Sequence, residues 1–386
     1  MSQLLEDVRM LAGEIGPRGT GTPAEAAGAD YVAGRLAHLG LPAEQHRFRA
    51  VASQNSFPLA IDVLVLLAIA IYPLAGAPTR WIAAALAMCA APLLWQTIRN
   101  AGNPLSIFLP KVTSRNVETR VSAETGARKR AVILAHLDTN RCRLAWQSKR
   151  VASIEPLTWL ALGVLASPGV ILLAGALLGG PPWLWWLSLL PAACVVGMMV
   201  TLWKDDQTPF SPGAHDNAAS VAVALEVAAR LARRPLATTE VWLIFDGAEE
   251  TDHGGVRDLL RRHGPVLRQA AFFGLEGLGS GEIVYLTRQG ICAPYHPAPH
   301  LRALAERVAA NYPQLDFRPA EMLAEDDVRT LRERGYHAIG VAGRDPHTGI
   351  LPFWHGPDDT VANVSAETME RAAAIMLALL DELDKA

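Results

Sequence analysis

His136 and Asp138 stand two positions apart in "AVILAHLDT", at the end of an apolar run. Four further stretches carry acids or imidazoles: Asp216 in "GAHDNAAS", Glu249 and Glu250 in "VWLIFDGAEE", Glu276 directly after "AAFFGL", and His355 in "LPFWHGPDD". Imidazole plus carboxylate without thiolate suits zinc, or cobalt or manganese, at a catalytic centre. A pair of metals needs one shared carboxylate, terminal ligands on each side and a separate base for the attacking water. The set contains those parts with acids to spare. Adjacent side chains diverge, so one of Glu249 and Glu250 can bind metal while the other addresses its water. Taken singly, each residue reads as ordinary polar surface at a strand end. The chemistry is carried by the set.

Strand-like runs must position these residues: "AVILA" at 131–135, "VWLIF" at 241–245, "AAFFGL" at 270–275 and "HAIGVA" at 337–342. Helical patterns separate them, at 218–234, 301–312 and 365–383. Short apolar strands alternating with helices predict an α/β domain built on a mostly parallel, mixed sheet flanked by helices. In such sheets ligands sit beyond the carboxyl ends of the strands, which is where the acids and imidazoles fall.

The chain has 386 residues, more than a typical single domain. Its 35 Lys and Arg against 38 Asp and Glu give a net charge of −3, which excludes a basic nucleic-acid footprint. Only 19% of residues are charged and the mean hydropathy is +0.18, a composition suggesting that part of the chain is solvated by lipid. From Pro156 to Trp203 there is no Asp, Glu, Lys, Arg or His, with "GGPPW" in the middle. Between Asp62 and Arg99 the one charged residue is Arg80, within "AGAPTR". These stretches predict two transmembrane helical hairpins, over 57–97 and 157–203, with helices near 57–76, 80–97, 157–179 and 183–203. Indoles at Trp81, Trp95, Trp159, Trp183, Trp185, Trp186 and Trp203 favour a membrane interface. The alternative is a set of buried helices in a large soluble core.

The hairpins leave 1–50, 110–150 and 205–386 as one polar domain. Arg47, Arg49, Arg99, Lys111, Arg141, Arg143, Lys149, Arg150 and Lys204 lie near the outer ends of the hairpins, and the turns carry only Arg80. By the positive-inside rule the polar domain faces the cytoplasm of a multi-pass inner or plasma membrane protein. The start, "MSQLLEDVRMLAGEIG", reads as an amphipathic helix rather than a cleaved leader. Cys89, Cys142, Cys194 and Cys292 show no disulfide or thiolate-zinc spacing.

Together the motifs resemble metallopeptidase family 28, the zinc aminopeptidases grouped with glutamate carboxypeptidase, glutaminyl cyclase and the non-catalytic transferrin receptor. The resemblance opens at "GPRGTGTPAEAAGADYVAGRLAHLGL" and continues through "SRNVETRV", "AVILAHLDT", "GAHDNAAS", "WLIFDGAEE" and "WHGPDDT". It implies two zinc ions. His136 and Glu276 would hold one, Glu250 and His355 the other, and Asp216 would bridge them. Asp138 would fix the His136 imidazole and Glu249 would be the general base. Glu276 departs from the family's usual Asp by one methylene, and the hairpins are absent from typical secreted members.

The resemblance further implies hydrolysis of an amide, at the N-terminal peptide bond of a short peptide. Alternatives are a glutaminyl cyclase, a deacylase of lipidated amino acids delivered from the bilayer, and a catalytically silent membrane scaffold. The expected partners are therefore a peptide or amide substrate and the lipid bilayer. His215 reads as a loop residue, Asp326 and Asp327 as pocket lining or a solvated helix entry, and Asp358 and Asp359 as helix cap or loop-orienting acids.

Overall fold

A computed structural model of the chain describes residues 2–74, 76–100, 102–143 and 150–386. Lys149, one of the basic residues invoked above, lies outside them. The chain divides into two compact units. One comprises Met1–Ala52, Lys111–Lys149 and Pro209–Ala386; the other comprises Ser53–Pro110 and Arg150–Thr208.

The first unit is a mixed α/β domain on an eight-stranded sheet. Its strands are β1 (Glu44–Val51), β2 (Lys111–Val121), β3 (Lys129–Leu134), β4 (Thr239–Phe245), β5 (Ala271–Glu276), β6 (Glu282–Gln289), β7 (Arg318–Met322) and β8 (His337–Arg344). Their order is β1-β2-β4-β3-β5-β8-β6-β7. The central four, β4-β3-β5-β8, are mutually parallel, while β2 and β6 join them antiparallel. These four are the apolar runs visible in the sequence, because a strand covered on both faces is apolar throughout.

Side-chain alternation assigns the two faces. Ala131, Ile133, Val241, Leu243, Phe245, Phe273 and Leu275 pack with the helices Ser220–Arg233 and Ala366–Lys385. Val132, Leu134, Trp242, Ile244 and Phe272 point the other way, onto Gly254–His263 and Asp327–Glu333. Each fully buried Phe contributes about 1.5–3 kcal/mol relative to exposure. The expected N-terminal amphipathic helix lays Leu4, Val8, Leu11 and Ala12 onto the first face. Thr22 and Ser365 cap the helices Pro23–His38 and Ala366–Lys385 by accepting from Glu25 N and Thr368 N.

The second unit is helical: Ser56–Ile71, Gly76–Met88, Ala90–Ile98, Val151–Leu177 and Pro182–Asp205. Gly76–Ile98, Val151–Leu177 and Pro182–Asp205 are long and apolar enough to cross a membrane. Ser56–Ile71 is shorter than expected at 16 residues, a length of about 24 Å against a hydrocarbon core of about 30 Å. It ends ahead of Pro73, and Pro92 similarly interrupts the hydrogen bonding at Cys89 between the two following helices. The glycines of "GGPPW" form the predicted turn, Gly179 and Gly180 having φ of +79° and +85°. Gly169 lets one helix meet the backbone of another, since a Cβ there would stand 3.1 Å from Met88 Cα. Trp159, Leu160, Val170, Trp183, Trp186, Leu190 and Trp203 are exposed, and only 17–28% of the apolar windows is buried. That exposure does not fit the alternative of buried helices in a soluble core. All four cysteines are free.

Candidate metal centre

Three parallel strands deliver ligand candidates from their carboxyl ends. His136 and Asp138 follow β3, Glu249 and Glu250 follow β4 across the turn Asp246-Gly247-Ala248, and Glu276 is the last residue of β5. Asp216 comes from the loop before Ser220–Arg233, and His355 from the loop after β8. Ala248 and His355 hold left-handed backbone, φ +54° and +48°, a conformation that costs a non-glycine residue about 1 kcal/mol or more and that aims both turns inward.

The two carboxylate oxygens of Asp216 face opposite ways. Oδ1 lies 3.3 Å from His136 Nε2, and Oδ2 lies 3.4 Å from His355 Nε2. Glu276 Oε2 completes the first group at 3.5 Å from His136 Nε2, and Glu250 Oε2 the second at 3.4 Å from His355 Nε2. Within each triad one donor atom per residue falls inside 4.8 Å of the others, so two three-donor clusters share Asp216. Glu249 groups with His136 and Glu250 on the same scale. The structure therefore brings together all seven residues singled out in the sequence.

Asp138 meets the His136 imidazole through its backbone rather than its carboxylate. His136 Nδ1 is 3.0 Å from the Asp138 backbone carbonyl, to which it donates, leaving Nε2 as the lone pair facing the acids. The Asp138 carboxylate, 3.7 Å from Nδ1, instead accepts from Glu249 N (3.0 Å), Glu250 N (3.2 Å) and the Thr20 hydroxyl (2.6 Å). Two consecutive N–H groups of the β4 turn converge on it, so it anchors that turn rather than the imidazole. Asn140 then orients Glu250, its Nδ2 donating to Oε2 at 2.7 Å.

Supports that the sequence did not single out lie around this core. Arg18, 1% exposed, donates through Nε to Leu137 O (2.9 Å), through Nη1 to Leu11 O (2.7 Å) and Gly16 O (3.0 Å), and through Nη2 to Gly213 O (2.8 Å). It thereby ties the His136 segment to the loop bearing Asp216. Glu25 accepts from Gly21 N, Ser114 Oγ and Ala248 N. Asp359, one of the acids expected to cap or orient, accepts from His215 N (2.6 Å) and Asp216 N (3.1 Å) and so orients the Asp216 loop. The only signal for Arg18 was its place in the Gly-rich "GPRGTG". His215 is fully buried, and burial lowers its pKa to about 4. Asp326 caps Asp327–Glu333 as suggested, but it is buried rather than solvated, taking Val328 N (2.9 Å) and Gln289 Nε2 (3.0 Å).

The electrostatics show a surplus of buried negative charge. Burial pushes Glu276 up to about 8, against the pull of His136, and holds Glu249 well above the carboxylate range. Burial favours the neutral His136 ring, yet the Glu276 and Asp216 carboxylates hold its pKa well above the ordinary value. Protons thus take the part of a cation. Glu250 Oε1 is buried and has no hydrogen-bond partner among the described residues. A nitrogen-and-oxygen donor set around one two-faced carboxylate, with a buried Glu250 oxygen lacking a hydrogen-bond partner among the described residues, fits zinc.

Comparison with known proteins follows the same line. Residues 205–380 match the family model described as Peptidase family M28, a span that holds Asp216, Glu249, Glu250, Glu276 and His355. The chain is 26% identical over 190 residues to Aminopeptidase YwaD of Bacillus subtilis (strain 168), covering 47% of this chain and 40% of that protein. It is 29% identical over 181 residues to Endoplasmic reticulum metallopeptidase 1 of Rattus norvegicus, covering 46% and 20%. The match thus spans less than half the length of either relative. Among solved structures, a zinc aminopeptidase from Bacillus subtilis superposes with a TM-score of 0.58 at 14% identity, covering 99% of this chain and 94% of that one. Glutaminyl cyclase from Porphyromonas gingivalis gives 0.58 at 14%, covering 99% and 97%. At that identity the likeness speaks for the fold, whereas motif order and sequence matches speak for descent: residues 205–380 are a Peptidase family M28 domain.

Proposed function

We propose that the chain is a membrane-anchored, di-zinc aminopeptidase that removes N-terminal residues from short peptides. The observation that carries this reading is Asp216, whose two oxygens each face a separate His-and-Glu pair. His136, Asp216 and Glu276 would hold one zinc, and Asp216, Glu250 and His355 the other. Bound zinc supplies Lewis acidity, lowering the pKa of water and polarising the scissile carbonyl. Glu249 takes the proton of the attacking water and returns it to the leaving amine. Its backbone is fixed by Asp138, and its Oε1 lies 3.5 Å from His253 Nε2. The substrate's free α-amine binds at the Glu276 side, where acid is in excess.

Membrane anchoring rests on the three long apolar helices and their exposed Trp and Leu side chains. The reading puts the M28 domain on the cytoplasmic side because basic residues flank the segments 57–97 and 157–203, and it requires the 16-residue Ser56–Ile71 to cross where the bilayer thins around it.

Glutaminyl cyclase is the second reading, favoured by the likeness to several solved cyclases. There Glu249 would move a proton from the substrate's α-amine to departing ammonia. Hydrolysis of aminoacyl-anilides by the detergent-purified chain, with and without added zinc and with Glu249→Gln as control, tests the proposal. Zinc-dependent cleavage lost in the variant supports it. No cleavage by folded, zinc-loaded protein refutes it, and turnover of N-terminal glutamine peptides by the same sample would establish the cyclase.

A further inference from the structure

A second cluster of metal-ligating side chains stands apart from the centre above. His46 and Glu44 come from β1, Glu118 from β2, and His263 ends the helix Gly254–His263. We propose that His46, Glu118 and His263, with Glu44 as fourth donor, form a separate structural site for a divalent transition metal of the zinc type.

Geometry is the first support. Tetrahedral zinc with bonds of about 2.0–2.1 Å places its donor atoms ~3.3 Å apart. His46 Nε2 is 3.3 Å from Glu44 Oε2 and 3.7 Å from Glu118 Oε2. His263 Nε2 is 3.3 Å from the same Glu118 Oε2. His46, Glu118 and His263 thus gather as three donors at separations close to the edges of a coordination tetrahedron, and the exposed Glu44 side chain, beside His46, is free to turn in as the fourth.

The strand register is the second. Glu44 lies directly opposite Glu118 on antiparallel β1 and β2. Like charges in directly opposed positions destabilise a strand pair, and Arg262 answers Glu118 without reaching Glu44, so a cation between the two acids would relieve what remains of that conflict. His46, two residues along β1, shares the Glu44 face. Its Nε2 is buried and has no hydrogen-bond partner among the described residues.

Arg262 is the competitor. It pairs with both oxygens of Glu118, and its Nη1 stands 2.9 Å from His263 Nε2. Arginine only donates, so the His263 Nε2 lone pair points towards the cluster. Because the guanidinium is a rigid plane, a metal entering the site must swing Arg262 as a whole, releasing its bonds to Glu118 and His263 together and loosening Nε from Asp258 Oδ2. Such a metal would tie the outer strand β1 to the end of a core helix. None of these residues touches the Asp216 triads, so this site and the catalytic reading stand or fall separately.

The test is the zinc content of the full chain in detergent. Wild type, His46→Gln, His263→Gln and Arg262→Gln are equilibrated with zinc, and bound metal per chain is measured by plasma mass spectrometry. Wild type is expected to hold one zinc more than either histidine variant. Zinc is expected to raise the melting temperature less in His46→Gln than in wild type, and the extra zinc should bind more tightly in Arg262→Gln. Because the readout is a difference between variants, it does not depend on how many ions the Asp216 centre holds. Equal zinc content in wild type and both histidine variants overturns the proposal, as does an extra zinc that binds more weakly once Arg262 is removed.

Discussion

Replacing Arg18 by Met keeps much of the side-chain length and removes every donor. Of the five carbonyls it serves, Pro212 O is the most distant, at 3.3 Å, and belongs to a half-buried residue, while Leu11 O retains Gly16 N and Gly213 O retains Ala218 N. Leu137 O and Gly16 O, both in buried residues, depend on Arg18. An orphaned buried carbonyl costs about 1–3 kcal/mol, so the two together cost about 2–6 kcal/mol. Burial lowers the Arg18 pKa to about 10, opposed by Asp359, Asp138 and Asp216, so removing the charge recovers some desolvation and shifts the expectation to the lower half of that range. For a domain of this size 1 kcal/mol corresponds to roughly 2 °C, which predicts a drop in melting temperature of about 4–8 °C. Zinc affinity should fall with it, by about 10–100-fold, since Leu137 lies between His136 and Asp138. Differential scanning fluorimetry with zinc titration measures both. A variant melting within about 1 °C of wild type, with unchanged zinc affinity, would refute the view that Arg18 joins the two ligand-bearing loops.

Other perturbations separate the roles assigned above. Glu249→Gln should lower the hydrolysis rate by about 10²–10⁴-fold while bound zinc stays unchanged, which metal analysis beside kinetics can check. Asp216→Ala should release both zinc ions together, whereas loss of one ion with full retention of the other would show that Asp216 does not bridge. Glu25 carries a pH dependence, because burial, reinforced by Asp138, pushes its pKa up to about 8. The folded, metal-free protein then keeps a proton that the unfolded chain releases above about pH 4.5, so the Glu25 contribution to stability is greatest below that pH. It declines by about 1.4 kcal/mol per pH unit until about pH 8. Glu25→Gln should remove that slope, and parallel stability curves for variant and wild type between pH 5 and 8 would contradict the assignment.

The central sheet was legible because β3, β4, β5 and β8 are buried on both faces and so appear as unbroken apolar runs. β1, "EQHRFRAV", was not, because an outer strand with one solvated face mixes polar and charged residues among its apolar ones. Ligand candidates were legible because acids and imidazoles interrupt apolar runs where a parallel sheet presents its carboxyl ends. What lay beyond the sequence was the aim of each carboxylate. The Asp138 carboxylate grips the Glu249–Glu250 turn, leaving the His136 ring to the Asp138 backbone carbonyl, because two N–H groups converge on it, a consequence of β3 and β4 being neighbours. Arg18 escaped notice because it acts on backbone carbonyls of segments 119 and 195 residues away. The short helix Ser56–Ile71 shows the limit of reading spans from apolar length, since Pro73 ends the helix inside the apolar stretch.

The most direct test of the account is anomalous diffraction at the zinc absorption edge from crystals of the zinc-loaded protein. Two peaks are predicted, one beside each oxygen of Asp216, with His136 and Glu276 around the first and Glu250 and His355 around the second. A single peak, or two that do not share Asp216, would contradict the dinuclear centre on which the proposed hydrolysis depends.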